Sequence, residues 1–259
     1  MIITNFQDSE SLAKKISNKL SAKQFTVYPK KFPDGESYVK LNENVNGKKF
    51  VLICSFFPNQ NEKIINAILV AGAAKDSGAE ETILIATYLP YMRQDKQFNQ
   101  GEGISSRHIL QTLSRHFDKI IAVDPHLHRT KSISNITKNC KEITANSLIA
   151  DYVNKNFSDD YHIVGPDSES FQWAEKISKK TNNLSEILRK TRFSSTHVEI
   201  QKKKLGKKIV IIDDMISTGN TIIEAIKIAK KQGVKEIHVI TIHGLFINEA
   251  DKKIKKYAD

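Results

Sequence analysis

The 259-residue chain has only two cysteines, Cys54 and Cys140, too few for a disulfide framework or a four-cysteine zinc site. Long apolar runs are missing as well. The longest uncharged apolar stretch is Ala67 to Ala74, far short of the ~20 residues a membrane helix needs. The opening Met1-Ile-Ile-Thr-Asn-Phe-Gln-Asp8 has neither the basic start nor the hydrophobic segment of a secretory signal. Arginine is scarce, at six of 40 basic residues. No zinc-finger or RNP spacing occurs, and no base-stacking aromatics interleave with the lysines. These absences lead to an expectation of a soluble protein from a reducing compartment, with neither a membrane nor nucleic acid as partner.

What is present is a normal core and an excess of positive charge. Hydrophobic residues make up 39%, enough for a packed interior and too many for disorder. The net charge is +11 with a pI near 9.4. Runs such as 202–204 and 252–256 read as solvated lysine faces. Their field still attracts anions, and phosphorylated metabolites respond to it as readily as nucleic acid.

Short β-branched runs alternate with helical patterns. Phe50–Cys54, Thr82–Thr87 and Lys119–Val123 read as strands, with helices over 61–77 and 104–116. The later chain repeats the scheme. Strands are expected at His162–Val164, Lys208–Ile212 and Glu236–Ile242, with helices from about Ser168 to Lys180 and over 220–232. Strands separated by helices imply parallel sheets with right-handed crossovers. A weak repeat aligns Gly78-Ala-Glu-Glu81 with Gly233-Val-Lys-Glu236, each followed by an Ile-rich strand. It is explained either by two similar α/β units or by the likeness of any two helix-to-strand turns.

The richest segment is Ile209-Val-Ile-Ile-Asp213-Asp214-Met-Ile-Ser217-Thr218-Gly219-Asn220-Thr221. Two carboxylates close a buried strand, and a hydroxyl- and glycine-bearing loop leads into an amphipathic helix. Parallel α/β sheets bind ligands at the carboxyl ends of strands. Hydroxyls and free N–H groups at a helix start suit a phosphate, and adjacent Asp residues suit sugar hydroxyls or metal-bound water. Helix capping alone would account for Ser217 or Thr218, but not for two neighbouring acids that repel one another.

This segment resembles the PRPP-binding signature of phosphoribosyltransferase-type folds. Phe32-Pro-Asp34-Gly35-Glu36, Tyr91-Met-Arg93-Gln94-Asp95, Val123-Asp124-Pro-His126, Val164-Gly-Pro166-Asp167 and Lys190-Thr-Arg192 follow in order along the chain. Together they resemble the ribose-phosphate diphosphokinase (PRPP synthetase) family, nearest to its short archaeal form. The resemblance implies two similar phosphoribosyltransferase-like α/β domains, 1–140 and 141–259, each a largely parallel sheet flanked by helices. It implies ATP and D-ribose 5-phosphate as substrates, Mg²⁺ as cofactor, a cytoplasmic location, and a homodimer or a hexamer built from dimers. By the same resemblance Phe32, Asp34, Glu36, Arg93 and Gln94 bind ATP, with the Phe32–Glu36 loop reaching a neighbouring subunit. Asp213, Asp214 and Ser217 to Thr221 bind ribose 5-phosphate, His126 and Asp167 place the metal, and Lys190 and Arg192 are catalytic. His128 and Arg129 depart from the bacterial pattern and receive no role, and Asn220 stands where relatives have a second glycine. Relatives usually continue for another strand, so the chain reads as a short or truncated form. A catalytically silent regulatory homologue or another PRPP-binding protein of this fold is the alternative.

Overall fold

A computed structural model describes the chain except Lys131, Glu169, Asn182, Arg189, Lys190, Ser195, Thr196 and 200–204. For 191–194 and 197–199 it describes the main chain only. The chain forms two compact units, Met1–Ile143 and Thr144–Asp259.

The first unit contains β1 (Ile2–Asn5), α1 (Glu10–Lys19), β2 (Lys23–Thr26), β3 (Lys30–Lys31), β4 (Ser37–Tyr38) and β5 (Lys49–Ser55). It continues with α2 (Gln60–Asp76), β6 (Glu81–Tyr88), α3 (Ser105–His116), β7 (Lys119–Val123) and β8 (Cys140–Ile143). Six strands form one sheet in the order β2-β1-β5-β6-β7-β8, and every neighbouring pair is parallel. Central β5 shows why its sequence is apolar without alternation. Phe50, Leu52 and Cys54 face one core with Leu84 and Leu110, while Val51 and Ile53 face another with Ile3 and Ala13. A strand covered on both faces has no polar side to display. Burial pushes the Cys54 thiol up strongly and the Cys140 thiol to about 12. Both therefore act as small core residues and not as nucleophiles. The expected turn at Phe32–Glu36 is the tip of the antiparallel β3–β4 hairpin.

The second unit contains α4 (Asn146–Asn156), β9 (Tyr161–Gly165), α5 (Phe171–Ser178), β10 (Ser185–Ile187), β11 (Thr191–Ser194) and β12 (His197–Glu199). Then come β13 (Lys208–Ile216), α6 (Asn220–Lys231), β14 (Glu236–Gly244) and α7 (Ala250–Ile254). Its parallel sheet runs β10-β9-β13-β14. Alternate residues of β13 again serve two cores. Ile209 and Ile211 meet Ile222 and Ile226 of α6, and Val210 and Ile212 meet Val153 and Trp173. β11 lies outside that sheet and pairs with β12 as a separate antiparallel ribbon. The helix expected from Ser168 begins at Phe171, and just ahead of it Ser170 N donates to the Asp167 carboxylate.

The repeat is real at the level of backbone. In both units a strand leads to a helix whose N-cap is left-handed, Asn59 (φ 65) before α2 and Gly219 (φ 76) before α6. Each helix is followed by a glycine at positive φ, Gly78 and Gly233. The next strand then pairs in parallel, with Lys49 opposite Glu81 and Lys208 opposite Glu236.

Gly165 is required by close approach. A Cβ there would stand 2.8 Å from Cα and 2.9 Å from N of Phe171, backbone atoms opening α5. Gly165→Ala should destabilise the fold by about 1–3 kcal/mol, read from chemical denaturation. A denaturation midpoint equal to wild type would contradict this packing account.

Candidate active site

The second unit places its polar residues at the carboxyl end of its sheet. β13 runs beyond the expected Ile212 to Ile216, so Asp213 and Asp214 lie inside the ladder, with Asp213 opposite Thr241. Both are buried, at 8% and 2% exposure. Burial, and then the charge of Asp214, push the Asp213 carboxyl up to about 8. The loop that follows is pinned from below. The Ser217 carbonyl accepts from Ile247 N (2.9 Å), and the Ile216 carbonyl from Leu245 N (2.9 Å).

Gly219 supplies the left-handed turn into α6, where a Cβ would also press on Ile254 and Ala250. Neither Ser217 nor Thr218 caps the helix through its side chain. Asn220 is already the first residue of α6, so the position that relatives fill with glycine needs no positive φ here. The first intrahelical bond runs from Ile223 N to the Gly219 carbonyl. The N–H groups of 220–222 thus point out of the helix start toward exposed Thr218, Asn220 and Thr221. A helix start of this kind, beside two carboxylates, has the donors that an anion needs.

Asp167 lies in the turn after β9. Its Oδ1 accepts from Ser170 N at 2.8 Å and lies 3.0 Å from Ser170 Oγ. The same hydroxyl stands 2.8 Å from Asp213 Oδ1. It has one hydrogen, so both contacts are satisfied together when one of the two carboxyls is protonated, as the raised Asp213 allows. Ser170 is 4% exposed, and the sequence reading gave it no role. Its signal was the Asp-x-x-Ser spacing at a helix start, which by itself says only that a cap is present.

In the first unit, three loops carry the remaining candidates. At the hairpin tip Phe32 N donates to the Glu36 carbonyl, and Glu36 N to Asp34 Oδ1. Phe32 is exposed and packs edge-on against Tyr38, with centroids 5.6 Å apart. After β6, Arg93 is exposed with no ion-pair partner among the described residues. Gln94 supports the start of α3, its Oε1 accepting from Ser105 Oγ at 2.8 Å. After β7, His126 and His128 stand half-buried with their Nε2 atoms in contact. Arg129 clamps Asp95, donating from Nη1 to Oδ1 at 2.7 Å and from its main-chain N to Oδ2 at 3.3 Å. Arg129 thereby ties the histidine loop to the loop of Arg93 and Gln94, an assignment that needed the fold.

In the first unit the equivalent loop is braced by a lysine. There the Lys63 ammonium binds the carbonyls of Ser55 (2.9 Å) and Phe57 (3.0 Å) and the carboxylate of Asp8. Lys190 lies outside the described residues, and so does the side chain of Arg192.

Among the described residues no three His, Cys, Asp or Glu side chains gather as a metal cage. Such a sparse donor set fits a cation that arrives with nucleotide phosphates and keeps most of its ligands there.

Doubly wound parallel units, with an acidic strand end leading through a glycine turn into an open helix start, define a phosphoribosyltransferase-type protein. Comparison narrows the class. Residues 1–116 match the family described as the N-terminal domain of ribose phosphate pyrophosphokinase, and 131–259 match the phosphoribosyl transferase domain. The ribose-phosphate pyrophosphokinase of Methanopyrus kandleri is 30% identical over 98% of this chain and 88% of its own length. That of Thermoplasma acidophilum is 31% identical over 100% and 90%. A crystal structure of phosphoribosylpyrophosphate synthetase from Mycobacterium smegmatis shares the fold with a TM-score of 0.89, at 24% identity over 99% of this chain and 85% of that one. The chain belongs to the ribose-phosphate pyrophosphokinase family.

The buried carboxyl carries a pH signature. Asp213 titrates near 3.8 when unfolded and near 8 when folded, so the folded chain holds the proton more tightly. Its stabilising contribution is complete below the unfolded value and is lost as pH rises through the folded one. Between pH 3.8 and about 8, Asp213→Asn should therefore become progressively more stable relative to wild type. A difference between the two unfolding free energies that does not change with pH would contradict the burial of this charge.

Proposed function

We propose that this chain is a ribose-phosphate pyrophosphokinase, converting ATP and D-ribose 5-phosphate into PRPP and AMP. The observation that carries the reading is the buried Asp213–Asp214 strand end beside the open start of α6. Full-length similarity to relatives of that name supports it. Ser217 to Thr221 hold the 5-phosphate, and Asp213 with Asp214 accepts hydrogen bonds from the ribose hydroxyls. The anomeric hydroxyl oxygen attacks the β-phosphorus of ATP, and the bond from that phosphorus to the α-phosphate oxygen breaks. AMP leaves with that oxygen, and the hydroxyl proton passes to solvent. No side chain is assigned as general base.

Such a transfer asks the protein for alignment and charge neutralisation more than covalent chemistry. Phe32, Asp34, Glu36, Arg93 and Gln94 hold ATP in this reading, and Arg93 offers a fork of donors to phosphate. His126 and Asp167 would hold Mg²⁺, and the ion would supply charge neutralisation to the bound phosphates. Lys190 and Arg192 then stabilise the transferring group in its transition state. The exposed Phe32 hairpin suits an assembly in which it reaches a neighbouring subunit, as a homodimer or a hexamer of dimers. No described helix is long and apolar enough to cross a membrane, and the proposed location is cytoplasmic.

A coupled assay should detect AMP only when ATP, ribose 5-phosphate and a divalent cation are all present. Lys190→Ala should lower kcat by roughly 10²–10³ with substrate KM values changed only a few-fold. Absence of AMP from the wild-type chain would favour a silent homologue. Wild-type turnover in Lys190→Ala would remove that residue from the mechanism.

A further inference from the structure

In the first unit β1 leads through α1 to β2 on one side, and β5 leads through α2 to β6 on the other. The strand order therefore reverses between β1 and β5. Open α/β sheets take ligands at such a point, in the crevice outside the carboxyl ends of the strands. A cavity of about 430 Å³ lies there, between the segments that follow β1 and β2 and the start of α2. Glu62, Lys63 and Asn66 line it from one face of α2. The charges in its wall are already matched. Lys63 donates to Asp8 and to two carbonyls, and Glu62 pairs with Lys31 at 2.7 Å. The amides are not. Asn66 is 4% exposed, and its Oδ1 has no hydrogen-bond partner among the described residues. Asn59 does not cap α2 through its side chain, and it shares the wall with Gln7 and the exposed ring of Tyr28.

We propose that this cavity binds a small, planar, uncharged ligand through an amide edge, an N–H beside a C=O. Lactam bases such as uracil carry that edge, and so do primary carboxamides such as nicotinamide. The inference stands apart from the reading of the acidic site in the second unit. A side-chain amide has an accepting oxygen and a donating NH₂, so Asn66 is the complement of such an edge. Its Oδ1 accepts from the ligand N–H, and its Nδ2 donates to the ligand C=O. The buried oxygen thereby gains the partner it lacks, and buried polar groups are seldom left without one. Gln7 and Asn59 add donors and acceptors, and Tyr28 offers a ring face to a flat molecule. An anion gains little here, because Lys63 already holds Asp8. The volume falls within the range of small-molecule pockets.

The test is calorimetric titration of the full chain with uracil, with nicotinamide and with benzoate, a flat anion that has no N–H. Uracil or nicotinamide should bind with a Kd of about 1 mM or tighter, and benzoate at least about tenfold more weakly. Uptake of uracil alone assigns the site to lactam bases, and uptake of nicotinamide alone to carboxamides. Asn66→Leu should weaken the bound probe by at least about tenfold. The same variant should unfold at a denaturant midpoint no lower than wild type, since it removes a buried oxygen that has no partner. Tyr28→Ala, at an exposed position, should fold as wild type does and weaken the probe by about threefold or more. Benzoate bound as tightly as the amides, or a probe held equally by wild type and both variants, would overturn the site. Failure of wild type to take up either amide would also overturn it, and would leave the cavity to water.

Discussion

Parallel strand pairing is the constraint on which the rest depends. Every neighbouring pair in the two large sheets is parallel, so each connection must cross a face of the sheet. Helices on both faces follow, and with them strands such as β5 and β13 that are apolar on both sides. The same geometry gathers the loops leaving the strands at one edge. In the second unit that edge collects Asp167, Ser170, Asp213 and the start of α6. In the first it collects the loops of Arg93 and His126. Chemistry is thereby confined to short segments, and the strands are left to pack.

The two units show how one backbone plan yields a site in one place and a strut in the other. Both have a strand, a left-handed cap and a helix with a trailing glycine. In the first, Lys63 donates to the loop carbonyls and pairs with Asp8. In the second, the equivalent loop hangs its own carbonyls on the segment after β14 and turns N–H groups outward. Burying Asp213 against Asp214 carries an electrostatic cost. The Ser170 hydroxyl offsets part of it and joins the two acidic loops.

Much of the fold was legible because strands covered on both faces advertise themselves. Phe50–Cys54 and Lys119–Val123 needed at most one residue of adjustment at either end. The β1–α1–β2 start was not read, since four-residue strands with a polar edge partner leave no periodic signal. The reach of β13 to Ile216 was hidden by its acids, which look like a strand terminator and are ladder members. Loops rich in Asp, Gly, Ser and Thr stood out as candidate sites by composition. The contacts of Ser170, His128 and Arg129 were not legible, because each depends on a residue tens of positions away or on how a loop turns.

The central claim is transfer of an intact diphosphoryl group to the anomeric oxygen, and isotope position reads it directly. Ribose 5-phosphate carrying ¹⁸O in its 1-hydroxyl should be incubated with ATP and the chain, and the products weighed by mass spectrometry. The account predicts that the label stays in the PRPP bridge between C1 and phosphorus, with none in AMP. Label found in AMP, or missing from PRPP while the unreacted ribose 5-phosphate still carries it, would mean that a different bond breaks, and would contradict the account.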